Sequence, residues 1–232
     1  MVDLSLIKPE NLWYTVGLIA TDGNLSKNGR HINITSKDEE HMLMVRKALM
    51  LKNKLTKKSR GGAKIKEYSF LQFGDVKFYK FLLFIGLTPK KSLILKEIKV
   101  PKIYFADFLR GVIDGDGSIH TWIHPTNKNE QWALRIFSAS EKFVQWLQLE
   151  IKSLFGAEGK IHISKRAKNS TLYQLKFGKF ATKQILFECY NTNCLALKRK
   201  KALAFACLKS KDKLSKYGVF NARVVKWQTR ST

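Results

Sequence analysis

Gly111-Val112-Ile113-Asp114-Gly115-Asp116-Gly117 closes an apolar segment that begins near Ile103. Gly17-Leu18-Ile19-Ala20-Thr21-Asp22-Gly23 closes another that begins at Pro9. Each run sets an acidic residue just before a glycine, where an apolar helix gives way to a polar stretch. Proline suits a first helical position and glycine a helix end, so both segments read as complete helices. The stretches C-terminal to the two runs are also alike. Ile32-x-Ile34-x-Ser36 answers Leu134-x-Ile136-x-Ser138, and Leu71-Gln72-Phe73-Gly74 answers Leu175-Lys176-Phe177-Gly178. Three correspondences in one order, with spacing that drifts only at loops, mark an internal duplication.

Between these landmarks the same elements recur. In the first copy, Asn28-Gly29 is a hairpin turn and His31–Thr35 alternates polar with apolar residues. Ser36-Lys37-Asp38-Glu39 opens an amphipathic helix to about Leu51. Leu55–Arg60 and Lys64–Phe73 form a second hairpin, and Asp75–Leu87 an apolar helix. The second copy repeats this with strands at Ser118–Ile123 and Trp132–Ser138, a helix at Glu141–Phe155, strands at Lys160–Lys165 and Thr171–Phe177, and a helix at Phe180–Tyr190. The expected class is α+β: two pseudo-symmetric αββαββα half-domains, residues 1–95 and 103–209, with antiparallel sheets. Residues 96–102 are the linker, and a further basic helix begins after Lys198. Residues 210–232 read as a basic, loosely ordered tail.

Composition narrows the partner. The 232 residues carry 43 Lys and Arg against 18 Asp and Glu, a formal net charge of +25. Self-repulsion on that scale points to a polyanion. A hydrophobic share of 44% excludes global disorder. No apolar run approaches the ~20 residues of a membrane span, and MVDLSLIKPE has no leader pattern. Three cysteines make no disulfide framework, so the chain reads as intracellular and nucleic-acid-binding.

A lone Asp-Gly is most simply a turn. A carboxylate at a helix C-terminus, however, meets the negative end of the dipole, and two at matching positions call for a cation. Gly17-x-x-x-Thr21 and Gly111-x-x-x-Gly115 put small residues one turn apart, so the two helices can pack closely and bring Asp22 and Asp116 together. A hard divalent ion relieves such a pair and supports phosphodiester hydrolysis.

Thr15–Gly23 and Leu109–Gly117 resemble the two signature motifs of the LAGLIDADG homing endonucleases, and the repeated unit extends the resemblance over roughly residues 9–200. The resemblance implies a single-chain monomer whose motif helices form the interface and whose sheets make a saddle on a long double-stranded DNA site. It implies metal positions at Asp22 and Asp116, flanked by Thr21 and Gly115, taking Mg2+, with Mn2+ or Ca2+ able to occupy the same places. It also implies one basic residue near each acid, here Lys91 and Lys198. Ala20 departs from a motif position that is acidic in the second copy, at Asp114.

Strand alternation sorts the sheet faces without that resemblance. Outward in the first half are Asn24, Ser26, His31, Asn33, Thr35, Lys64, Lys66, Tyr68 and Gln72. Outward in the second are Ser118, His120, Arg135, Lys160, His162, Ser164, Arg166, Ser170, Gln174 and Lys176. These are the residue types that read major-groove edges or hold phosphates. His120 and His124 fall on a strand and loop, where their spacing does not make a metal pair. Cys189 and Cys194 read as buried or semi-buried thiols, and Phe78, Tyr79, Phe81 and Phe84 as core. Two other functional classes fit the charge. One is a non-catalytic binder, either an intron RNA maturase or a DNA-binding regulator, and the other a nonspecific nucleic-acid coat. Residues 224–232 resemble the translated 5′ half of a leucine tRNA gene, which implies a reading frame beside such a gene, as suits a mobile element.

Overall fold

The computed structural model describes residues 2–60, 66–165 and 171–210. Lys64, Arg166, Ser170 and the tail from 211 onward lie outside the described residues, and of Lys66 only the backbone is described.

The first half runs α1 (Pro9–Asp22), β1 (Gly23–Leu25), β2 (His31–Ser36), α2 (Glu39–Ala48), β3 (Leu55–Arg60), β4 (Lys66–Gly74) and α3 (Val76–Phe84). The second runs α4 (Phe105–Asp116), β5 (Gly117–Ile123), β6 (Glu130–Ser138), α5 (Glu141–Phe155), β7 (Gly159–Lys165), β8 (Thr171–Phe177), α6 (Lys179–Cys189) and α7 (Lys198–Lys209). The sheets are antiparallel and share one order, β1-β2-β4-β3 and β5-β6-β8-β7. The duplication read from sequence is therefore a duplication of topology.

Local chemistry sets the boundaries. Asp38 and Asp75 cap α2 and α3, each accepting a backbone N–H three residues on, from His41 at 2.9 Å and Phe78 at 2.8 Å. Asp75 is also bonded by the Val2 N–H at 2.6 Å, which ties the chain start to the first half. Gly156 ends α5 in the left-handed conformation at φ 66°, where glycine carries no Cβ penalty. Leu95 and Ile98 are buried, and the Lys99 N–H bonds to the Ile85 carbonyl at 2.8 Å, so the connection between halves is packed rather than free. Phe78 and Tyr79 are core, as expected. Phe84 is not: it is 72% exposed beneath the Lys99 ammonium, because α3 ends there and its last turn overhangs the core.

The centre of the molecule is the contact between α1 and α4. Val16, Leu18, Ile19, Val112 and Ile113 are essentially inaccessible there. A Cβ built on Gly17 would lie far inside 3.0 Å of the Phe108 carbonyl, and one on Gly111 equally close to the Tyr14 carbonyl. The two clashes are mirror images, since Phe108 and Tyr14 hold the same position in the two motifs. Backbone meets backbone at both places, so no side-chain rotation could relieve an added methyl.

Gly111→Ala should therefore destabilise by about 3 kcal/mol or more, a fall in Tm of roughly 6–12 °C for a chain this size. Gly178→Ala, where nothing lies within 4 Å of the added atom, should leave Tm nearly unchanged. Thermal unfolding of both variants checks the pair.

Candidate active site and nucleic-acid interface

The close crossing fixes where the two motif acids stand. Asp22 and Asp116 are the last residues of α1 and α4. Below them Gly115 faces Thr21 so tightly that an added Cβ would collide with the threonine hydroxyl. That hydroxyl already donates to the Leu18 carbonyl at 3.0 Å. Gly115 can offer a metal only its backbone carbonyl, and Thr21 its carbonyl or a hydroxyl lone pair. Both aspartates remain open to solvent, and Asp22 lines a cleft.

Crowding by protein and the nearby Asp116 charge push the Asp22 carboxyl up to about 6. Burial raises Asp116 as well, while Lys200 and Lys91 pull it back. Both acids respond to the same two lysines, so the four groups form one electrostatic unit. Lys91 is buried and donates to the Gly23 carbonyl at the end of α1. Lys200 is buried and donates to the carbonyls of Ile113 at 2.6 Å, Asp114 at 2.7 Å and Gly115 at 3.2 Å, at the end of α4. Each ammonium thus caps the negative end of one motif helix. Burial pushes both ammoniums down to about 8. The cation demanded by two acids at helix ends is supplied in part by the chain itself.

Beside Asp22 opens a cleft of about 530 Å³, walled by Thr35, Lys37, His41 and Tyr68 of the first half and by Asp114, Gly115 and Arg199 of the second. Among the described residues no group of three or more His, Cys, Asp and Glu side chains could enclose a metal. Two carboxylates with backbone carbonyls fit a hard, oxygen-seeking ion that keeps waters or takes phosphate oxygens as its other ligands.

Residues 104–188 match the family model for a LAGLIDADG-like domain. The matched span runs from the start of α4 to the end of α6 and includes Asp116. Among solved structures, the homing endonuclease I-WcaI bound to its DNA recognition sequence superposes with TM-score 0.62 at 14% identity, over 89% of this chain and 88% of that one. Mesophilic variants of the homing endonuclease I-DmoI match at TM-score 0.53 and 16% identity, over 85% of this chain and 97% of theirs. Full-length DUF199/WhiA from Thermatoga maritima matches at TM-score 0.52 and 16% identity, over 95% of this chain and 68% of its own. No curated protein matches the chain in sequence. The whole chain, both halves together, has the LAGLIDADG fold.

Within that fold one expected residue is displaced. Lys198 lies at the surface and pairs with Glu40 of α2, away from the acids. Lys200 takes the inward place instead. Successive residues of α7 are ~100° apart, and Lys200 shares its face with Ala204, Cys207 and Leu208, the buried stripe. That i, i+4, i+7, i+8 spacing was readable in the sequence.

A second set had no sequence signal beyond the acidic motif position. The buried Asp114 carboxylate accepts hydrogen bonds from Tyr14 Oη at 2.8 Å, Tyr190 Oη at 2.8 Å and the Leu197 N–H at 2.6 Å. His41 Nε2 lies 2.5 Å from the same Tyr14 oxygen, and burial holds the imidazole below its usual value. Tyr14 and His41 come from the first half, so Asp114 fastens the halves together. Its counterpart, Ala20, is buried without a polar role.

Strand register places the expected outward residues. Asn24, Asn33 and Gln72 form one cross-strand row, and Thr35 and Tyr68 lie on the same face. Ser118, Arg135, Lys176 and Lys160 form the equivalent row in the second sheet, and His162 pairs with Gln174 beside it. His31 pairs with Gly74, and His120 with Ala133. Ser164 pairs with Leu172, while Ser26 stands just past β1. Alternation missed Phe70 and Phe137, which share these faces with Thr35 and Gln174.

The raised Asp22 value has a sign for stability. A carboxyl that binds its proton more tightly folded than unfolded contributes stability that falls as pH rises from about 3.8 to about 6. Above that window its ionised form opposes the fold. Asp22→Asn should therefore raise Tm modestly at pH 7.5, with the difference vanishing below about pH 4 where both forms are neutral. Thermal melts across that range in a metal chelator check it.

Proposed function

We propose that the protein is a site-specific, divalent-metal-dependent endonuclease acting on double-stranded DNA, and that it works as a monomer. The observation that carries this reading is the Asp22–Asp116 pair at the α1–α4 crossing, close enough for one charge to raise the other, with a lysine behind each. Such a pair opposes folding above about pH 6, which is understandable if its role is to hold a cation. The DNA recognition sequence bound by I-WcaI gives the substrate class by analogy of fold. The charge of +25 supports a polyanionic substrate independently.

In this reading Asp22 and Asp116, with the Thr21 and Gly115 carbonyls, hold Mg2+, or Mn2+ or Ca2+ in its place. Bound there, the ion supplies a Lewis acid that activates water and stabilises the leaving oxygen of the phosphodiester. The chain's own groups do the rest. Lys91 and Lys200 are positioning residues: they neutralise the helix ends, so both acids can stay ionised side by side. Arg199, on the cleft wall beside Asp22, is placed to meet a phosphate. The outward rows of the two sheets lie along the duplex and set its register.

The charge states bound the pH range. The acids must be deprotonated to bind a cation, which Asp22 achieves above about 6. The lysines keep their charge below about 8. Cleavage should fall on both sides of that interval, with metal affinity failing first on the acid side.

Asp22→Asn or Asp116→Asn should abolish double-strand cleavage in Mg2+ while leaving DNA affinity within a few-fold. Lys200→Met should lower the cleavage rate by about tenfold or more, a loss of the size expected for a charged group in the site. Lys198→Ala, at an exposed ion pair, should change it little. Single-turnover cleavage of sites selected from a randomised library, with filter binding alongside, measures all four. A variant lacking either acid that still cuts would remove that acid from the site. The second reading, a non-catalytic nucleic-acid binder on the same fold, would rest on the charge of +25 alone. Tight, selective binding without any break in Mg2+ would establish it.

A further inference from the structure

The two sheets are equivalent in topology but not in chemistry. The row that begins one residue past each motif glycine can be compared position by position. In the first sheet it reads Asn24, Asn33, Gln72; in the second, Ser118, Arg135, Lys176. Asn33 and Arg135 stand on the same strand of the repeat, as do Gln72 and Lys176. One half presents carboxamides where the other presents cations.

We infer that the DNA site is asymmetric at the positions flanking the cut, with adenine read by Asn33 and Gln72 in one half-site and guanine read by Arg135 and Lys176 in the other. This rests on the proposed function, in that the sheet faces lie in the major groove. An Asn or Gln carboxamide matches the N6 donor and N7 acceptor of adenine, whereas Arg or Lys donates to O6 and N7 of guanine. All four residues are on the two central strands of their sheets, β2 and β4 or β6 and β8. In a sheet seated in the groove as proposed, central strands would come nearest the base edges and edge strands nearest the phosphates.

Two features of the free protein support base contact. Arg135 Nε is buried with no acceptor, a donor withdrawn from water before its partner arrives. Arg135, Lys176 and Lys160 are also directly paired across three strands, and like charges so placed repel. No carboxylate is paired with any of the three among the described residues. The amides of Asn24, Asn33 and Gln72 likewise make no side-chain hydrogen bond among the described residues. Neither set of side chains is engaged by protein side chains among the described residues, but one offers a donor and an acceptor together, the other donors alone.

The test is a binding selection from a randomised duplex library by the full chain in EDTA, so that cleavage is not needed. The wild type should yield a consensus with adenines at one inner half-site and guanines at the other. Asn33→Arg with Gln72→Lys should convert the first half-site from adenine to guanine preference by about tenfold or more per contact and leave the second half-site unchanged. Arg135→Asn with Lys176→Gln should do the reverse. Preference ratios are read, because the added or lost charges shift affinity for all DNA. If the substitutions change affinity for every sequence alike, the four residues are phosphate contacts and the inference fails while the endonuclease reading stands. If no consensus emerges at all, site-specific recognition fails with it.

Discussion

The approach of two helix backbones at Gly17 and Gly111 is the constraint on which the rest of this molecule depends. Neither position tolerates a Cβ, because the atom opposite is a main-chain carbonyl. Held that close, α1 and α4 end at the same level, and their last residues, Asp22 and Asp116, are brought side by side. The Gly115–Thr21 contact keeps the spacing through the final turn. A looser crossing would separate the carboxylates and remove the repulsion that, after burial, helps lift Asp22 to about 6.

That repulsion is contained rather than abolished. Lys91 and Lys200 reach the carbonyls at the two helix ends from chemically equivalent directions, yet from different contexts. The first lies in a short 3-10 turn, Lys91–Leu93, and the second in the longer helix α7. The repeat therefore conserves the charge arrangement more strictly than the element that delivers it. The result is a cluster of two anions and two cations that opposes stability at neutral pH. Such a cluster persists because the surrounding core, continuous through both halves, holds it in place.

How far the sequence foretold this depends on the kind of signal. Elements with strong periodicity were legible: α5 and β8 begin and end where apolar spacing and flanking glycine place them. The acids were legible because the motif occurs twice. Lys198 was not the inward lysine, although the α7 stripe of Ala204, Cys207 and Leu208, extended back one turn, identifies Lys200. Phe84 continued an apolar run past the point where the core ends. The Asp114 network was invisible because its donors, Tyr14, Tyr190 and Leu197, come together only through tertiary structure.

Asp114 also records how far the two copies have diverged. Its carboxylate takes one donor from the first half and two from the second, while the matching place in the first motif is the apolar Ala20. A chain built from two second halves would set Phe108 where Tyr14 now donates, stranding each interior carboxylate one partner short. A chain built from two first halves would leave the Tyr14 hydroxyl without that acceptor. The gene doubling behind this architecture is thus no longer reversible by simple exchange: each copy has become the other's obligate complement, free to specialise on its own side of the pseudo-dyad.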